Sequence, residues 1–142
     1  MIIGLGTDLC PASRWEHLLA RFGEKAPRRI LAEAEAAYLL GGNGQRLPER
    51  LAGRWALREA FGKALGVGLD GWSWKELRYR DGRLWAEGEL AGLLRDRGVA
   101  RIHGSVSHDR GLALAVVVLE GPGSGQTNEA GHSGRWPSKD AP

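Results

Sequence analysis

The sequence predicts an α+β domain in which helices pack on one face of a largely antiparallel sheet. Three observations lead there. A β-branched, glycine-bearing strand pattern opens the chain, helical patterns follow it without a break, and two pairs of strand patterns meet at glycine-containing turns. Together they give the order β-α-α-α-β-β-α-β-β, which suits a layered α+β domain better than alternating crossover units.

The opening "MIIGLGTDL" is the first strand, with Gly4 and Gly6 allowing another backbone or a ligand to come close and Asp8 near its end. "PASRWEHLLARFG" begins with proline and serine, carries Trp15, Leu18, Leu19 and Phe22 at helical spacing, and stops at a glycine. Its other face shows Arg14, His17 and Arg21. "RRILAEAEAAYLL" is rich in helix formers and reads as one or two short helices ended by "GGNGQ". The longest helical pattern runs from Pro48 to Leu65, offers Leu51, Trp55, Phe61 and Leu65 to a core, and closes with "GVGLDG". "WSWKELRYRDGRLWAEG" is a hairpin turning at Asp81-Gly82, and "ELAGLLRDRG" is a short helix. "RIHGSVSHDRGLALAVVVLEG" supplies two strands around a turn at Asp109 to Gly111, the second of them buried. Residues 1–120 are thus the folded domain. From Gly121 to Pro142 the chain is rich in Gly, Ser and Pro and poor in aliphatics, and is expected to be a disordered tail.

The chain has 142 residues, enough for one domain with a real core. No apolar run reaches the ~18 to 20 residues of a membrane span, and the N-terminus lacks the basic start and long apolar run of a signal peptide. A single cysteine, Cys10, excludes an internal disulfide and fits a cytosolic home. The net charge of +3 is uneven, with "RFGEKAPRRI" carrying four basic residues against one acid, so part of the surface should attract anions. A small basic nucleic-acid-binding domain is one reading of this charge. Arginine abundance in an alanine- and glycine-rich chain is weak support for it.

Several signatures are absent. No glycine-lysine pair precedes Ser or Thr as in a phosphate-binding loop, no dinucleotide fingerprint follows a strand, and no zinc-ligand spacing occurs. Ser107 and His108 are not a nucleophile and base, because strand neighbours point to opposite faces. Three features remain: Asp8 after the glycine-bearing strand, Glu59 with Lys63 on the long helix, and "SVSHD" at a strand end. Each has an ordinary reading. Asp8 would cap the next helix, Glu59 and Lys63 would form an i,i+4 surface pair, and His108 would be a turn histidine. Taken together, two carboxylates with basic side chains suit magnesium-dependent phosphate chemistry, since magnesium is commonly held by one or two carboxylates plus water and substrate phosphates.

"IIGLGTDL", "GRWALREAFGKALG" and "IHGSVSHDRGLALAVVVLE", in that order and over residues 1–120, closely resemble the bacterial holo-[acyl-carrier-protein] synthases, 4'-phosphopantetheinyl transferases whose signature is W-x-x-K-E-A-x-x-K. The resemblance implies transfer of 4'-phosphopantetheine from coenzyme A to a serine of acyl carrier protein, with release of adenosine 3',5'-bisphosphate. It implies Asp8 and Glu59 as ligands of a magnesium ion, Glu59, Lys63 and His108 as the catalytic set, and Arg54, Lys63 and His108 as contacts to coenzyme A. It also implies a homotrimer with sites between subunits, and docking of the acidic carrier by Arg14, Arg21 and Arg28. Nucleic acid and membrane are not among the implied partners. Two departures stand out: Arg58 replaces the signature lysine, and Leu84, followed by Trp85, replaces the proline the family often has after "DG-[KR]".

Overall fold

The computed structural model describes residues 1–42, 44–66 and 72–123. The order of elements is β1 (Ile2–Pro11), α1 (Ala12–Phe22), α2 (Lys25–Ile30), α3 (Glu33–Leu40), α4 (Leu47–Leu65), a 3-10 turn (Trp74–Glu76), β2 (Leu77–Arg80), β3 (Arg83–Ala86), α5 (Gly88–Asp96), β4 (Arg101–Asp109) and β5 (Leu112–Glu120). The helix-rich run after α1 forms two short helices. Pro27 is buried in the first of them, and Leu31 leaves helical geometry before the second begins.

The strands form two sheets rather than one. β1, β5 and β4 make an antiparallel sheet in that order, and β2 with β3 makes a separate hairpin. The hairpin is shorter than its sequence pattern because Ser73 caps a 3-10 turn: its hydroxyl accepts from the Lys75 amide while the Glu76 carboxylate accepts from the Ser73 amide. The expected tail lies outside the described residues beyond Gly123.

Helix α4 is the centre of the core. Leu51, Ala52, Ala56, Leu57, Ala60, Phe61 and Leu65 are buried on it, against Ala113, Ala115, Val117 and Leu119 of β5. Small residues set how closely the sheet approaches. A Cβ added to Gly4 would lie 1.9 Å from the Ala64 carbonyl oxygen, and one added to Gly6 would lie 1.9 Å from that of Ala60. No side chain fits at either position, so β1 rests directly on the helix backbone and Asp8, two residues beyond Gly6 on the same face, is carried to the helix surface.

The opposite face of the sheet is uncovered. Leu5 and Leu9 of β1 and Leu112 and Leu114 of β5 are exposed there, with Leu9 directly across from Leu114. No helix among the described residues is long and apolar enough to cross a membrane.

Candidate active site

One charged cluster forms where β1 meets the C-terminal half of α4. Helical side chains lean toward the N-terminus of their helix, so Lys63 reaches back over the preceding turn toward β1. Its Nζ donates to the Thr7 carbonyl at 2.9 Å and to Asp8 Oδ1 at 3.0 Å. The ordinary i,i+4 pairing is therefore not the one formed: Lys63 pairs with Asp8, fifty-five positions away in sequence. The Lys63 side chain stays 56% exposed and that of Asp8 only 17%, so the ammonium remains open to a further anion. Asp8 does not cap α1, whose N-cap is Pro11 with no side-chain bond.

Glu59 completes this cluster. Burial pushes its carboxyl above the ordinary carboxylate range and the Asp8 charge adds to that push, while Lys63 and Arg14 oppose it. Two acids whose charges disfavour each other, with a lysine alongside, are a donor set suited to a hard divalent cation. Among the described residues no group of three or more His, Cys, Asp or Glu gathers as a metal cage. Arg14 on α1 lies beside this cluster with its guanidinium 5.1 Å from the centre of the Trp55 ring.

A second cluster forms at the N-terminal half of α4. Gly53 sits under the His108 ring: a Cβ there would lie 3.1 Å from His108 Cε1 and 3.3 Å from Nε2. Ser107 belongs to the other face of β4, as alternation requires. The next residue, Arg54, brings its Nε to 2.9 Å from Glu35 Oε1, off the line of a well-aimed hydrogen bond, and lies 4.4 Å from the centre of the Tyr79 ring. Burial lowers its pKa, with Glu35 and Tyr79 opposing the shift.

Arg58 is wholly buried, at 0% exposure. Its Nε donates to the Trp74 carbonyl at 3.1 Å and its Nη1 to the Arg54 carbonyl at 3.1 Å. Its Nη2 donates to Glu35 Oε2 at 2.9 Å and to the Leu77 carbonyl at 2.7 Å. This residue ties α3, α4 and the start of the hairpin together, away from the Asp8 cluster. A lysine ammonium is a point donor and could not span these acceptors as the planar guanidinium does.

The sequence reading missed Glu35 and the burial of Arg58. Both had a signal in spacing: Arg58 lies seven residues from both Leu51 and Leu65, and Glu35 falls on the buried stripe of Ala36 and Leu39. The three arginines expected to meet a carrier differ in their freedom. Arg21 stacks on the exposed Phe22 ring at 5.0 Å, Arg14 lies over Trp55 and acts on Glu59 only through its charge, and Arg28 pairs with Glu24 at 3.4 Å and with Glu33.

A family model described as the 4'-phosphopantetheinyl transferase superfamily matches residues 4–117. The chain belongs to that superfamily. It is 40% identical over 126 residues to the holo-[acyl-carrier-protein] synthase of Cutibacterium acnes, covering 85% of this chain and 100% of that one. The crystal structure of the Neisseria meningitidis holo-[acyl-carrier-protein] synthase superposes with a TM-score of 0.77 at 31% identity, over 84% of this chain and 99% of that one. A Bacillus anthracis holo-(acyl-carrier-protein) synthase, solved in complex with CoA (3',5'-ADP), gives a TM-score of 0.66 at 35% identity, over 86% of this chain and 99% of that one. With such relatives the chain is an enzyme of the holo-[acyl-carrier-protein] synthase family, and both charged clusters on α4 lie inside the matched span.

Proposed function

We propose that this protein transfers the 4'-phosphopantetheine group from coenzyme A to a serine of an apo acyl carrier protein, in a magnesium-dependent reaction that releases adenosine 3',5'-bisphosphate. The observation that carries the reading is the meeting of Asp8, Glu59 and Lys63 across β1 and α4, which puts two acids and an open ammonium at one place. The coenzyme-bound relative supports coenzyme A as the donor.

In this reading the serine oxygen attacks the phosphorus that carries the pantetheine arm and gives up its proton to a nearby carboxylate or to water. The bond from that phosphorus to the bridging pyrophosphate oxygen breaks, and the adenosine bisphosphate leaves with the bridging oxygen. Asp8 and Glu59 would hold the magnesium ion. When bound, the ion offsets charge developing on the pyrophosphate oxygens. Lys63, tied to Thr7 and Asp8 yet half in solvent, offers its remaining N–H donor to a phosphate oxygen. Arg54 and His108 supply the cationic and polar contacts for the nucleotide part of coenzyme A.

Helix α4 rises about 1.5 Å per residue, so Arg54 and Lys63 stand about 13 Å apart along its axis, on different sides. One subunit presenting the Asp8 cluster and a neighbour presenting the Arg54 cluster would build a continuous site between them. The uncovered apolar face of the β1-β5-β4 sheet supports such an assembly, which we propose is a homotrimer. The acidic carrier would be drawn to the face of Arg14 and Arg21, with Arg28 contributing less because Glu24 and Glu33 already engage it. We place the activity in the cytosol, on residues 1–120.

The test is direct. The protein is mixed with apo acyl carrier protein, coenzyme A and magnesium, and the carrier is weighed by mass spectrometry. A gain of one phosphopantetheine group is expected. A carrier of unchanged mass would overturn the reading. Leu5→Glu, on the open sheet face, is expected to shift the assembled species to monomer in light scattering; an unchanged mass would remove that face from the assembly.

A further inference from the structure

We infer that Glu35 is a positioning residue for coenzyme A, acting through Arg54, and that Arg58 is what makes this possible. Glu35 is 8% exposed and its two oxygens meet two arginines, so the trio holds one negative and two positive groups. An isolated buried guanidinium is costly, which makes it important where the surplus charge lies.

The geometry answers that. Arg58 is the closed partner: all four of its hydrogen bonds go to protein acceptors, including Glu35 Oε2, and none of its surface meets solvent. Glu35 and Arg58 are therefore electrically complete. The surplus falls on Arg54, whose side chain is 12% exposed. Its Nε faces Glu35 Oε1, the Tyr79 ring supports its flat face, and its two terminal nitrogens make no hydrogen bond among the described residues. A guanidinium held by an ion pair with Glu35 and by its face, with the terminal donors unspent, is prepared for an anion with paired oxygens. Glu35 sets the direction of that fork without touching the ligand.

This inference rests on the proposed reading for the identity of the anion, a phosphate of the adenosine part of coenzyme A. It does not need the transfer reaction for its test. Affinity for adenosine 3',5'-bisphosphate is measured by calorimetry on the full chain, beside KM and kcat for transfer. Glu35→Gln is expected to weaken bisphosphate binding and raise KM for coenzyme A about tenfold, with kcat and KM for the carrier held within about twofold. Arg54→Gln should weaken binding to a similar degree, and adding Glu35→Gln to it should cause little further loss, because the two act through one contact.

Glu35→Gln leaves two buried guanidiniums without their acid, so folding is checked by circular dichroism. If that variant unfolds, the double variant Glu35→Gln, Arg58→Met removes the balanced pair and leaves Arg54 charged but untethered. It is expected to show the same loss of bisphosphate affinity. Unchanged affinity in a folded variant, or fully additive losses with Arg54→Gln, would overturn the inference. Bisphosphate binding that depends on Glu35 in a protein that transfers nothing to the carrier would uphold the inference and remove the proposed reaction.

Discussion

Near the C-terminal end of α4, Lys63 stands in solvent and pairs with an acid from β1; nearer the middle of the helix, Arg58 is sealed in the core and pairs with an acid from α3. Both are basic residues of one helix, five positions apart, and both meet a carboxylate at about 3 Å. What differs is what each has left over. The Lys63 ammonium keeps access to solvent and therefore to a ligand. The Arg58 guanidinium spends its donors on the protein and works by closing the charge balance that leaves Arg54 available. An open ion pair is worth little to stability and much to binding, whereas breaking a closed one is expensive for the fold.

The comparison can be broken most strongly at the buried end. Arg58→Ala leaves Glu35 short of a partner and removes the side-chain donor from the Trp74, Arg54 and Leu77 carbonyls, and is expected to lower unfolding free energy by about 3 to 5 kcal/mol in denaturant titration. Arg58→Lys should recover part of this. A loss under about 1 kcal/mol for the alanine variant would show that the trio is not a structural clamp.

At the open end the expected effect is on turnover. Glu59→Gln is expected to reduce kcat/KM about 100-fold at saturating magnesium, because an amide is a poor ligand for a hard cation, while the melting temperature holds or rises. Equal turnover would exclude Glu59 from the cation site. A smaller effect is expected at Gly53→Ala, whose methyl must shift the His108 ring by a few tenths of an ångström. KM for coenzyme A should rise about threefold to tenfold with little change in stability; an unaltered KM would detach His108 from the coenzyme.

The smallest effect is a pH dependence. The Glu59 carboxyl is held above its ordinary value in the folded protein, so the native state keeps its proton to higher pH than the unfolded chain does. Stability without magnesium therefore declines as pH rises from the ordinary carboxylate value through the raised one. Glu59→Gln lacks this decline, so its stability relative to the parent should grow over that window and then level off. Parallel curves for the two proteins would contradict the raised pKa.

Much of this protein was legible along the chain. The strand over "MIIGLGTDL", the helix ending at Leu65, the turn at Asp81-Gly82 and the final strand pair all form where local pattern put them, because period and turn chemistry are local properties. Asp8, Glu59 and Lys63 were identifiable from their residue types and order, yet their partners were not. Spacing paired Lys63 with Glu59, and the fold pairs it with Asp8.

Sequence alone determined the strands, the first and longest helices and their succession, and which side chains carry charge suited to phosphate chemistry. Tertiary structure decided where that charge is spent. Gly4 and Gly6 let β1 rest on α4 and bring Asp8 to Lys63, and α3 carries Glu35 into the core to meet both arginines. The physical reason is that a charge's meaning depends on its solvent access and its partner, and both are set by residues distant in the chain.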